Sequence, residues 1–343
     1  MRSRLISLAK RNRGVQQVGR LLDTLVPAPD RLCTVLTFHR IDTHERELYP
    51  GLAGLDAASF ERFIDQLVER WHPIAVGELL GALSDGHRLP ARSVLVTFDD
   101  AYRDFAEVAW PIMQARGVPV VLFVPTAHPD DPARQFWWDE LYAALAATRS
   151  TDWRAIAIDA SSPDEAFRSV RDEIKAMPHT EAVHTVRAMV TELGTRAPVP
   201  TSPPVERVLR WAELRALASQ GVALAPHSRT HPMLDQLEPD QLDPEVRGSL
   251  EDMYDQLGRD GVAPVFAYPA GGHDPRVHDA VRRAGYAAAF TTVRGLVDVG
   301  SSDPYRLPRL NVGRESSFGA VAAEASVRRL RAARRSAPRD ALG

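Results

Sequence analysis

The stretch Ser93-Val94-Leu95-Val96-Thr97-Phe98 runs directly into two adjacent carboxylates, Asp99 and Asp100. A short apolar segment rich in β-branched residues reads as a strand buried on both faces, the kind found in parallel sheets. Parallel strands need crossover connections, so this one segment points to an α/β architecture. It also puts the two carboxylates at the C-terminal end of a strand, where such folds gather their chemistry. Side by side they repel each other unless a positive group divides them. A divalent metal could take one and leave the other as a base.

The rest of the chain supports the alternation. Leu32 to Phe38 continues a strand from Arg31 and ends at His39. Asp56 to Trp71 reads as a helix capped by Asp56, with Phe60, Phe63, Ile64, Leu67 and Val68 on one stripe. A helix from Tyr102 to Arg116 stops at Gly117, and the strand Val118 to Val124 stops at Pro125. After a break the rhythm resumes with strands at 222–225, 265–268 and 287–292, separated by helices at 237–259 and 275–284. The break, about 128–205, is helical in pattern and closes on Pro198, Pro200, Pro203 and Pro204. The expected fold is α/β: a distorted (β/α)7 barrel over 31–325 with this helical insertion.

Both ends are basic. Residues 1–30 carry six cationic side chains before the first acid, Asp23, and Leu5, Leu8, Val15, Val18, Leu22 and Leu25 fall near one helical stripe. Such a helix either packs on the edge of the barrel or makes peripheral contact with an anionic membrane surface. From Arg328 the chain is basic without an apolar period, so 326–343 is expected to be a solvated tail.

With 44% apolar and 25% charged residues and a net charge of −3, the composition is that of a soluble globular protein and argues against nucleic acid as partner. The single cysteine, Cys33, excludes an internal disulfide framework and a Cys-rich zinc site; its apolar surroundings suggest a buried thiol. No apolar run is long enough to span a bilayer, and Lys10, Arg11 and Arg13 cut short any signal-peptide core. The expected location is cytoplasmic, with or without membrane association.

A second polar cluster, His227-Ser228-Arg229-Thr230-His231, follows another strand. Asp100, His227 and His231 make the three-ligand set of a catalytic zinc, and the same donors suit cobalt, nickel, iron or manganese. A metal there would acidify a water from a pKa of about 15.7 toward roughly 7 and polarise a carbonyl, while Asp99 takes a proton. Each motif alone has a plainer reading, as a helix cap or a turn histidine. Their joint position at strand ends favours the metal.

Thr97-Phe98-Asp99-Asp100, His227 to His231 and Phe266-Ala267-Tyr268-Pro269-Ala270-Gly271 together resemble the polysaccharide deacetylases, the NodB-homology or carbohydrate esterase family 4 enzymes. The resemblance covers roughly 31–312. It implies removal of acetyl groups from saccharides, with Asp99 as general base and Asp100, His227 and His231 as metal ligands. Tyr268 and the Ala270 N–H become substrate-side groups, the latter as an oxyanion donor. The family's usual arginine is missing from the third motif, and the late Leu307-Pro308-Arg309-Leu310-Asn311 segment has no histidine. His39 offers a replacement general acid, as in the biofilm poly-N-acetylglucosamine deacetylases, whose motif order is circularly permuted. Trp137 and Trp138 either stack on a sugar ring or pack the insertion.

The leading expectation is a metal-dependent hydrolase of N-acetylhexosamine units in a polysaccharide or lipid-linked saccharide. The same site could instead open a cyclic amide or imide, or cleave an O-acetyl ester. The missing arginine also motivates a degenerate barrel that only binds saccharide.

Overall fold

Odd and even residues of the strands face two different cores. Val35, Leu95, Phe123, Ala267, Phe290 and Leu307 point into one cluster, while Leu36, Val96, Leu122, Phe266, Ala289 and Leu310 point into another. Side chains alternate across a strand, so a strand apolar on both faces must be covered on both. The inner cluster fills a barrel and the outer one lies under its helices. The computed structural model describes residues 13–41, 54–131, 134–195 and 208–336.

The strands are β1 Leu32–Phe38, β2 His72–Pro73, β3 Ser93–Phe98, β4 Val120–Val124, β5 Ala223–Pro226, β6 Val265–Ala267, β7 Ala288–Arg294, β8 Val297–Asp298 and β9 Leu307–Asn311. Seven of them form the order β5-β4-β3-β1-β9-β7-β6, with β2 added beside β3 and β8 beside β1. Neighbours along the seven-strand path are all parallel. The two ends of the path meet at a Leu224–Val262 bridge, where the Ala263 N–H donates to the Leu224 carbonyl at 2.9 Å. The result is a nearly closed, distorted (β/α)7 barrel.

The helices are α1 Arg13–Leu25, α2 Ala57–Arg70, α3 Val76–Asp85, α4 Trp110–Gln114, α5 Trp137–Ala147, α6 Ser150–Trp153, α7 Pro163–Ala176, α8 His179–Gly194, α9 Trp211–Ser219, α10 Pro239–Leu257, α11 Pro275–Ala284 and α12 Phe318–Ser336. Asp56 caps α2 as expected, accepting the Ser59 N–H at 2.8 Å. Helices α5 to α8 leave the barrel between β4 and β5 and close a small core of their own around Leu141, Trp153, Phe167 and Leu193.

Three features differ from the sequence reading. Leu307–Asn311 is a full barrel strand between β1 and β7. Pro308 lowers its strand propensity, yet the segment is built into the sheet. The basic stretch from Arg328 continues α12 as far as Ser336, and Arg329 is buried there against Asp23 at 2.8 Å. That ion pair replaces the apolar period that the sequence lacks. Helix α1 does pack on the barrel's edge, but it buries Gly19 and Asp23, with Val26 buried just after it, and leaves Val18 and Leu25 in solvent. Residues 1–12, the Pro-rich turn at 198–204 and residues 337–343 lie outside the described residues.

Candidate active site

Strand parity positions the first carboxylate. Leu95 and Thr97 face the barrel interior, and Asp99, two residues on, follows them. The chain then turns sharply: Asp100 and Ala101 have φ of 73° and 52°. This left-handed step is costly for residues with a Cβ, and here it swings Asp100 away from Asp99. The second motif uses the same device, with φ of 60° at both Ser228 and His231. Ser228 Oγ accepts the His231 N–H at 3.0 Å and closes the turn.

These turns bring Asp100, His227 and His231 together, with one donor atom from each inside 4.8 Å. Asp100 Oδ1 lies 3.2 Å from His231 Nε2 and 3.6 Å from His227 Nε2, yet it is buried and accepts no hydrogen bond. A buried carboxylate oxygen without a hydrogen bond, facing two imidazoles, is a donor set that could hold a cation. Two ligands about 2.0–2.1 Å from a tetrahedral zinc stand roughly 3.4 Å apart, which matches these separations.

The protonation states agree. His227 Nδ1 lies 2.7 Å from the Ala267 carbonyl, so it carries the proton and leaves the Nε2 lone pair toward Asp100. Burial lowers the His227 pKa to about 4, so the ring is neutral at pH 7. Burial works against ionisation of Asp100, but His231, His39 and His227 outweigh it and hold the carboxyl well below the usual range.

Asp99 has its own partner, and the expectation of a missing arginine is wrong. Arg309 of β9 donates from Nη1 to Asp99 Oδ1 and from Nη2 to Oδ2, both at 2.7 Å. Its Nη1 also reaches Thr97 Oγ1 at 3.3 Å, and its Nε donates to the Thr291 carbonyl at 3.0 Å. Burial raises the Asp99 pKa, but the guanidinium overcomes this and leaves it below the ordinary carboxylate value. The barrel therefore carries an ionised, oriented carboxylate at Asp99. The degenerate-barrel reading loses the observation that motivated it.

His39 follows β1 and places Nε2 3.9 Å from Asp99 Oδ2, with part of the ring open to solvent. Ala270 is exposed on the turn after β6, with φ 50° and ψ 8°. Tyr268 is fully buried and its hydroxyl donates to the Tyr305 carbonyl at 2.9 Å, which leaves it no face toward a substrate. Both tryptophans line one cleft, but their packing differs. Trp138 packs edge-on against His231, with ring centroids 4.9 Å apart, and donates to the Tyr102 hydroxyl at 3.0 Å. Tyr102 in turn donates to the buried Asp139 at 2.8 Å. Trp137 lines that cleft, of about 440 Å³ between the insertion and His231, together with Arg134, Lys175, Arg187 and Met233.

Sequence reasoning also missed what holds the histidine turn. Glu245 of α10 accepts the N–H groups of Arg229 and Thr230, each at 2.9 Å, and the Thr230 hydroxyl at 2.6 Å. Asp252 accepts from Arg229 at 2.8 and 3.0 Å and from the Thr126 hydroxyl at 2.6 Å. The seven-residue spacing of the two acids puts both on one face of α10, which was the available signal.

The fold and site define a parallel barrel with an Asp/His/His cluster and an arginine-held aspartate at its strand ends. The polysaccharide deacetylase family matches residues 86–289, and this chain belongs to it. Similar solved structures include the Streptococcus pyogenes deacetylase PplD in complex with acetate, at 19% identity and TM-score 0.56, covering 84% of this chain and 96% of that one. IcaB from Ammonifex degensii is similar at 18% identity and TM-score 0.57, covering 86% and 97%. The BpsB deacetylase domain from Bordetella bronchiseptica gives 16% identity and TM-score 0.55, covering 85% and 99%. Among curated proteins none matches the sequence significantly.

Proposed function

We propose that this protein is a metal-dependent de-N-acetylase of N-acetylhexosamine units in a polysaccharide or lipid-linked saccharide. The observation that carries the reading is the Arg309-held Asp99 directly before the ligand Asp100. A divalent cation held by Asp100, His227 and His231, with zinc the best match to two imidazoles and one carboxylate, would supply Lewis-acid polarisation and an acidified water.

The chain's own groups account for the remaining proton transfers. Asp99, ionised and held by Arg309, accepts the proton of the attacking water. The Ala270 N–H meets the oxyanion of the tetrahedral intermediate. His39, on the open side of Asp99, gives a proton to the amine as the C–N bond breaks. Acetate and a free amino sugar leave. The cleft beside His231 accommodates the glycan, with Trp137 as its stacking face.

The test is acetate release from short N-acetylglucosamine oligomers, with elemental analysis of the same preparation. Activity should vanish on chelation and in Asp99→Asn. His39→Gln should slow turnover while leaving the metal content of the preparation unchanged. Full turnover by metal-stripped protein sinks the reading.

A further inference from the structure

The exposed large apolar side chains of this protein are concentrated rather than scattered. Of the seven among the described residues, five lie on two adjacent helices: Val18, Leu21 and Leu25 on α1, and Val327 and Leu330 on α12. A Cβ on Gly19 would meet the Gly319 carbonyl oxygen at 1.9 Å, and one on Gly319 would meet the Gln16 carbonyl oxygen at 2.5 Å. Glycine at both positions therefore permits the close approach. The contacts Gln16–Gly319, Gly19–Ala323 and Asp23–Arg329 advance together along both helices, so the pair is parallel.

That geometry fixes which side chains share a side. Each helical residue turns by about 100°. Val18 and Leu25 come one step before the buried Gly19 and Val26. Val327 and Leu330 come one step after the buried Ser326 and Arg329. In a parallel pair these two offsets rotate to the same side. Phe318, Ala322 and Ala325, buried toward the barrel, take the opposite one.

The charge on this pair is one-sided. Its two acids are Asp23 and Glu324. Asp23 is paired with Arg329, and Glu324 with Arg294 and Arg328. Arg331 and Arg334 are exposed, and no carboxylate on either helix remains to balance them. The sequence just before α1 adds Arg2, Arg4, Lys10 and Arg11 and no acid.

We propose that the α1–α12 face docks the protein on an anionic lipid surface. The apolar side chains enter the acyl boundary and the arginines meet the headgroups. A second copy of the chain would set this cationic face against itself across a two-fold axis, so charge complementarity favours lipid. The inference does not depend on the proposed catalytic reading, since none of these residues belongs to the site.

Sedimentation of the full chain with phosphatidylcholine vesicles, with and without phosphatidylglycerol, tests it. Binding should require the anionic lipid and weaken with salt. Combined Val18→Ser, Leu21→Ser and Leu25→Ser should reduce it by about tenfold or more. Arg331→Gln with Arg334→Gln should also weaken it, and provides a second route if the serine variant melts early. Activity on soluble oligomers should not change. Equal binding to neutral vesicles, undiminished binding by the arginine pair variant, or no binding at all overturns the proposal. So does a dimer in gel filtration that the serine substitutions dissolve, because a second copy then covers the face.

Discussion

Arg309 and Asp99 lie 210 residues apart in sequence and are joined by two hydrogen bonds of 2.7 Å inside the barrel. A planar guanidinium matches both carboxylate oxygens at once, which fixes the Asp99 carboxylate in rotation as well as position.

Replacing Arg309 therefore changes two properties of Asp99. Arg309→Lys offers a point charge without the fork, and a misoriented base is expected to cost about 10²-fold in kcat. The pH shift has a definite sign. Burial raises the Asp99 pKa, and Arg309 reverses this to below the ordinary value. Arg309→Gln removes the reversal, so the acid limb of kcat/KM should move to higher pH. The depressed pKa also stabilises the fold above the ordinary carboxylate value, and that contribution is lost as the pH falls through the folded one. A kcat/KM profile whose acid limb stays in place in Arg309→Gln refutes this role.

The orphaned Asp100 oxygen makes a prediction about metal and stability together. A buried acceptor without a partner costs about 1–3 kcal/mol, and a bound cation removes that cost. Adding zinc to chelator-stripped protein should raise its melting temperature. His227→Ala or Asp100→Asn should abolish the rise and lower metal stoichiometry in elemental analysis.

Both turns of the candidate site were legible because their motifs are local: Asp100, His227 and His231 each stand within a few residues of the end of an apolar strand. The barrel was legible for the same reason, through the strands that run to 98, 124 and 226. Arg309 was not, although parity points to it. Leu307 faces inward, so Arg309 does too, and a charge inside a barrel requires a counter-charge. What hid it was Pro308, which disguised the strand. The buried half of α12 was hidden differently, because Arg329 reads as a solvated charge until Asp23 is brought to it by the fold.

Cys33 offers a test of the barrel interior itself. It is fully buried at the start of β1, and burial pushes its thiol up to about 12 from 9.0. Native protein should resist iodoacetamide at about pH 8 and react fully once unfolded. A folded pKa above the unfolded one gives stability below pH 9.0 that is lost as pH rises toward about 12. Denaturant midpoints should fall through that window, and less so in Cys33→Ala.

Glu245 touches neither the ligands nor the cleft, yet its carboxylate gathers three donors of the turn between His227 and His231. Its action on chemistry therefore runs through the position of His231. Glu245→Gln keeps one oxygen for both backbone N–H groups but removes the negative charge that strengthens them, and its NH2 then faces the Thr230 hydroxyl, which must turn from donor to acceptor. The turn should loosen while β5 and α10 stay folded. Groups that orient metal ligands typically contribute 10–100-fold in affinity, and a loss of that size is expected here in competition with a chelator. Far-UV circular dichroism should be unchanged, and excess metal should restore activity in Glu245→Gln but not in Asp99→Asn. A Glu245→Gln protein that holds metal as tightly as the parent shows that the turn keeps its shape without this carboxylate.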